Sequence, residues 1–232
     1  VGEKSTFQSL EALISRTPMG YNLTIWYDAC GRGVDLNFFN ELKKYTDDVI
    51  VSNANHYLCK TLGYALLYLE GDYVMLVPSD NIVKPGYMDR FCYALDNTEK
   101  VGCVGCARVD DYPDFEFNFD MIQNSKLYRP DGVMIFNKEA VLDVGSISLS
   151  FSEYGLPLLE WTERALAKGW NMVSCSNIAN EVGGMHMGRE LNPNLQDEIK
   201  QATNTYLKIR DTEYKNFTWW DHRYREKEAV AA

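Results

Sequence analysis

Short apolar runs of strand length alternate with segments of helical periodicity along most of this chain, and that alternation restricts it to an α/β fold. Asn22 to Tyr27 reads as a buried strand, Leu36 to Lys44 as a helix, Asp48 to Ser52 as a second short strand, Tyr57 to Leu69 as a helix and Tyr73 to Val77 as an apolar strand. Ahead of them, Ser5-Thr-Phe-Gln8 has the spacing of a capping box. Phe7, Leu10, Leu13 and Ile14 follow at helical intervals, so an opening helix is expected to run to Arg16 and stop at Pro18 and Gly20. Pro85 suits the first turn of a further helix, where its missing N–H costs little. A strand from Val101, another from Gly132 to Phe136, a short helix to Val144 and a helix from Pro157 to Lys168 closed by Gly169 complete the pattern. The expectation is a mixed, mainly parallel sheet flanked by helices, forming one domain over residues 1–191. Residues 192–232, a polar helix from Asn192 and an aromatic-basic tail from Phe217 to Arg225, are expected to pack on the same domain.

Charge narrows the partners. A formal net charge of −10 argues against a nucleic-acid surface, which needs clustered Lys and Arg. It also means that a phosphate-bearing ligand would need a local positive source, and a divalent cation held by carboxylates is the simplest one. No apolar run approaches the roughly 18 to 20 residues of a membrane-spanning helix, so no transmembrane segment is expected. Six cysteines are thinly spread, which favours a reducing, cytoplasmic setting and leaves room for peripheral membrane association. Cys103 and Cys106 form a CxxC, but within the strand-like run Val101 to Val109 side chains three apart face opposite ways, so a shared metal is not expected.

In a parallel sheet, ligands bind beyond the carboxyl ends of the strands, so the polar residues there are the first candidates. Asp28 follows one strand, Ser79-Asp80-Asn81 follows another, and His186 stands in Gly183-Gly-Met-His-Met-Gly-Arg189. Taken singly, an Asp after a strand caps a helix or closes a turn, and a His among glycines is a loop residue. Their combination is more informative.

The chain resembles the family 2 glycosyltransferases and the wider GT-A fold from Ser5 to Arg189. Leu23-Thr-Ile-Trp-Tyr-Asp28 and the Gly-containing loop with Asp35 are similar to the family's strand ending in an Asp that contacts the nucleoside. Glu70-Gly-Asp-Tyr-Val-Met-Leu-Val-Pro-Ser-Asp-Asn81 with Pro85-Gly-Tyr-Met88 is similar to its strand running into an Asp-x-Asp motif. Asp131-Gly-Val-Met-Ile-Phe-Asn-Lys-Glu-Ala140 resembles the acceptor-side strand and helix, and Glu160-Trp-Thr-Glu-Arg164 the acidic helix that follows. The family's first strand, ahead of the opening helix, has no counterpart here.

The resemblance implies a GT-A nucleotide-diphospho-sugar transferase, Rossmann-like in its sheet. A sugar would pass from a UDP- or GDP-sugar donor to a glycan, a protein-linked glycan or another hydroxyl acceptor. Mn2+ or Mg2+ would be held by Asp80 and His186, because charge grows on the diphosphate leaving group as the glycosidic bond breaks. Asp28, Ser79, Asp80, Asn81 and Arg189 would line the nucleotide-sugar site, with Lys84 and Arg108 as further cations. Glu160, Glu153 and Asp131 are the candidates for the base that takes the acceptor's proton.

Two departures stand out. Pro78 occupies the place of the first Asp of Asp-x-Asp, and the family's acidic pair before the helix at Leu156 is missing. A retaining reaction fits the second gap. Both gaps also motivate an alternative, a GT-A-like module that binds sugar nucleotide or glycan without turnover. A sugar nucleotidyltransferase is a third reading, although Val1-Gly-Glu-Lys-Ser-Thr6 does not resemble the glycine-rich phosphate loop of those enzymes.

Overall fold

The structure is a computed structural model that describes residues 3–29, 33–52, 57–106, 119–121, 131–148, 156–175, 178–182, 197, 200–201 and 203–208. In chain order the elements are α1 (Glu3–Arg16), β1 (Ile25–Asp28), α2 (Leu36–Leu42), β2 (Val49–Ser52), α3 (Tyr57–Tyr68), β3 (Tyr73–Leu76), β4 (Asn81–Val83) and α4 (Tyr87–Asp96). They continue as β5 (Val101–Cys106), β6 (Phe119–Met121), β7 (Asp131–Asn137), α5 (Lys138–Val144), α6 (Leu156–Ala167), β8 (Asn171–Cys175) and β9 (Ala179–Glu181). Residues 203–208 are also helical. Among the described residues no helix is long and apolar enough to cross a membrane.

The main sheet has the order β3-β7-β5-β8-β6. β5 and β8 pair in parallel, whereas β7 pairs antiparallel with both β3 and β5. β3, β5 and β8 therefore run the same way, and β7 enters between two of them in the opposite sense. β1 and β2 form a parallel pair of their own, and β4 pairs antiparallel with β9. The described sheet is thus mixed, with more antiparallel than parallel neighbours.

Helices cover both faces of this sheet, and β7 feeds both cores. Met134 and Phe136 join Leu62 and Leu66 of α3, Val141 of α5 and Trp161 of α6 on one side. Val133 and Ile135 join Ala12 and Leu13 of α1 and Tyr87 and Phe91 of α4 on the other. The alternation is the period of two of a strand buried on both faces. An edge-to-face contact of Trp161 with Phe136, 5.2 Å between centroids, anchors α6 to β7.

Local chemistry sets the element ends. Asp35 caps α2 by accepting from the backbone N–H groups of Asn37 and Phe38, and Asn137 caps α5 through Glu139. Lys138 Nζ donates to the carbonyls of Leu66 and Leu69, which satisfies the C-terminal end of α3. Gly169, at φ +78, closes α6 as expected. Pro85 is not in the first turn of α4. That turn begins after Gly86, whose φ of 72 belongs to the left-handed region, so Pro85 precedes the cap. β4, β6 and β9, three residues each, were too short to carry a strand pattern of their own.

Cys103, Cys106 and Cys175 are sheet residues. Cys103 is fully buried, and burial pushes the Cys175 thiol up to about 12, so it stays protonated at neutral pH. Cys106 is the register partner of Cys175 across β5 and β8.

The tightest approach in the core is at Gly102, where an added Cβ would lie 2.7 Å from Met172 Cε and 3.3 Å from Trp170 Cβ. Gly102→Ala is expected to cost about 1–3 kcal/mol of unfolding free energy. Urea denaturation would measure it as a lower midpoint with an unchanged slope.

Candidate functional site

The most constrained polar feature is the turn between β3 and β4. Asn81 N–H donates to Pro78 O at 3.0 Å, which closes Pro78-Ser79-Asp80-Asn81 as a β-turn. Asp80 O accepts from Val182 N–H at 2.6 Å, just past the register pair of Asn81 with Glu181. The hydroxyl of Ser9, buried on α1, donates to Asn81 O at 2.6 Å and lies 3.5 Å from Pro78 O. Three backbone carbonyls of the turn are therefore tied to partners remote in sequence or across the turn.

The side chains are ordered from the same turn. Asn81 is buried, and its Nδ2 donates to Asp80 Oδ1 at 2.9 Å. Among the described residues the Asp80 carboxylate has no other hydrogen-bond partner, and Asp80 is half-buried while Ser79 is exposed. Behind Asn81 stands Gly132, at φ +60, where an added Cβ would sit 3.2 Å from Asn81 Oδ1. Gly132 thus lets the start of β7 come up to the turn, and it brings the backbone of Asp131 with it.

The expected site residues fall into three groups. Asp80, Asn81 and the backbone of Asp131 are brought together at one end of β3, β4 and β7. Asp28 ends β1 on the separate two-stranded sheet, opposite Ser52, and its Oδ1 accepts from Trp26 Nε1 at 3.1 Å. Trp26 in turn stacks on Tyr64 of α3, 6.2 Å between centroids. Glu153, His186, Arg189 and Arg108 lie outside the described residues.

Glu160 is corrected by the geometry. It is 3% exposed, and its two carboxylate oxygens accept from Arg164 Nε at 2.6 Å and Nη2 at 3.0 Å. The same guanidinium donates to Val144 O and Ser146 O, while Trp161 Nε1 donates to Gly145 O. Glu160 is therefore half of a buried clasp that holds the α5–α6 connection, with its lone pairs directed at a fixed cation instead of an acceptor hydroxyl. The spacing of Glu160 and Arg164 by four residues in a helix was the signal for this role. Glu163, also buried, accepts from the hydroxyl of Tyr206 at 2.8 Å, which ties the helical residues 203–208 to α6.

Ser9 and Gly132 were missed in the sequence reading. Ser9 carried a readable signal, because it sits beside Leu10, Ala12 and Leu13 on the buried stripe of α1, where a polar residue needs a partner. Gly132 carried none beyond its place at a strand start.

The described residues contain no group of three or more His, Cys, Asp or Glu side chains able to hold a metal. What they provide at the turn is one carboxylate, a hard oxygen donor, braced by the Asn81 amide. That set fits a cation such as Mg2+ or Mn2+ that keeps phosphate and water among its ligands, and it does not fit an all-protein cage.

No protein-family model matches the chain, and no curated protein matches it in sequence. Solved structures do. The chain is similar to the mannosyltransferase PcManGT of Pyrobaculum calidifontis, solved with GDP-Man and Mn2+, at a TM-score of 0.54 and 12% identity over 76% of this chain and 54% of that one. It is similar to GalNAc-T7, solved with UDP, GalNAc and Mn2+, at a TM-score of 0.56 and 12% identity over 79% of this chain and 42% of that one. The chain spans about half the length of these proteins or less. The likeness shows the fold alone: a mixed α/β, GT-A-like architecture.

Removing Arg164 would leave Glu160 charged and buried, so Arg164→Ala is expected to lose about 3–5 kcal/mol of stability. Glu160→Gln, which keeps a hydrogen-bonding neighbour for the guanidinium, is expected to lose less. Paired urea titrations of the two variants measure the difference.

Proposed function

We propose that this chain is a glycosyltransferase of the hexosyltransferase type, which moves a sugar from a UDP- or GDP-sugar to a hydroxyl acceptor on a glycan or protein-linked glycan. The observation that carries the reading is the turn at Asp80. Its carbonyls are tied to α1 and to Val182, so the carboxylate is offered from a fixed backbone. His186 follows Val182 by four residues, and a chain of that length reaches up to about 14 Å, enough to bring an imidazole to the same cation as Asp80.

Asp80 and His186 would hold Mn2+ or Mg2+ here, with Asn81 supporting Asp80, and the bound ion would stabilise charge on the departing diphosphate. Asp80 orients the donor from below, with Asn81 fixing which carboxylate oxygen faces outward. Asp28, braced by the Trp26 indole, serves the nucleoside, and Ser79 and Arg189 complete the donor site. Asp131 is the favoured base over Glu160 and Glu153, because the approach of Gly132 to Asn81 brings its backbone to the turn, whereas Glu160 is committed to Arg164.

The second reading, a module that binds sugar nucleotide without turnover, draws support from Pro78 in place of a second carboxylate. One experiment separates the two. Release of UDP or GDP is measured from a panel of their hexose conjugates with and without Mn2+. Turnover that needs Mn2+ and falls about 100- to 1,000-fold in Asp80→Ala, with an unchanged melting temperature, is the expected result. Tight donor binding by calorimetry with no release across the acceptor panel would favour the binding module, and absence of any donor binding would remove both.

A further inference from the structure

We propose that Ser9 is a positioning residue for the cation site, acting from α1 through the backbone of the Asp80 turn; this rests on the reading given above. The hydroxyl is buried, 4% exposed, and reaches across 72 positions of sequence to Asn81 O at 2.6 Å. Its second neighbour, Pro78 O at 3.5 Å, is the acceptor of the turn's own closing bond from Asn81 N–H. Ser9 thus spans both ends of the four-residue turn whose third member is Asp80.

Holding α1 in place does not require this bond. Farther along the helix, the Arg16 guanidinium donates to Val83 O, and the hydroxyls of Thr17 and Tyr87 lie 2.6 Å apart. Ala12 and Leu13 pack into the core with Val83 and Tyr87 between these contacts. Deleting the Ser9 hydroxyl therefore leaves the helix seated and loosens the turn alone. Without it, Asn81 O loses its buried donor, and the Asn81 amide that orients Asp80 Oδ1 belongs to the same residue. A carboxylate that must supply most of the protein's share of a cation's ligands is sensitive to small changes of that kind.

The test uses Ser9→Ala, Thr17→Val and the unmodified chain. Thr17→Val cuts the partly buried hydroxyl contact with Tyr87 just past the C-terminal end of α1, and so reports what merely loosening the helix does. Free Mn2+ is followed by electron paramagnetic resonance, with Mn2+ alone and with Mn2+ plus UDP or GDP, alongside thermal melting. Ser9→Ala is expected to weaken Mn2+ binding about tenfold, and Thr17→Val to lower the melting temperature with Mn2+ affinity held within about twofold. Equal Mn2+ affinity in Ser9→Ala and the unmodified chain overturns the role of Ser9 while leaving the transferase reading intact. An equal loss in Thr17→Val overturns it too, because the effect would then belong to the helix as a whole. If the unmodified chain binds no Mn2+ with either nucleotide, the transferase reading and the role of Ser9 fall together.

Discussion

The antiparallel entry of β7 between β3 and β5 is the constraint on which the rest of this fold depends. Every residue from Val133 to Phe136 is buried, and successive side chains enter opposite cores. The helices on the two faces are therefore packed against the same strand, and neither layer can shift without disturbing the other. The strand also begins at Gly132, whose missing side chain admits Asn81. Core packing and site geometry thus share one strand, with its interior residues serving the first and its opening residue the second.

Much of this was legible in the sequence, and the parts that were not share a physical cause. The helices and the strands at Tyr73, Val101 and Gly132 came from periodicity, which local sequence writes directly. Adjacency is not local. Strand-helix alternation correctly implies that β3 and β5 run together, but nothing near Gly132 announces that β7 will lie between them, and the strand at Asn171 was not foreseen. β4 and β9 pair with each other across nearly a hundred residues, and three residues are too few to show alternation.

The site divides along the same line. Asp80 and Asn81 stand out as candidates in the sequence because a strand runs straight into them. Glu160 was misread because an acid near a helix start fits both catalysis and structure, and only the tertiary position of Arg164 against Val144 and Ser146 decides between them. The Arg164 fork satisfies two carbonyls at the end of α5 while neutralising Glu160, so the charge there is spent on the fold. The Asp80 carboxylate differs: its hydrogen-bond partner among the described residues is the neutral Asn81 amide.

Pro78 acquires a meaning in this setting. At the position where a second carboxylate would be expected, the chain has a residue that fixes its own φ and whose carbonyl receives the turn's closing bond. The exchange trades a ligand for rigidity. On the proposed reading, a cation at Asp80 draws most of its remaining ligands from the diphosphate, so its affinity is set by the donor's presence more than by the protein alone. Binding of the two is then thermodynamically linked: the factor by which the bound diphosphate strengthens the cation's binding is the factor by which the bound cation strengthens the diphosphate's. A stiff turn suits that arrangement, because a single carboxylate held in place loses little entropy when the cation and diphosphate arrive together.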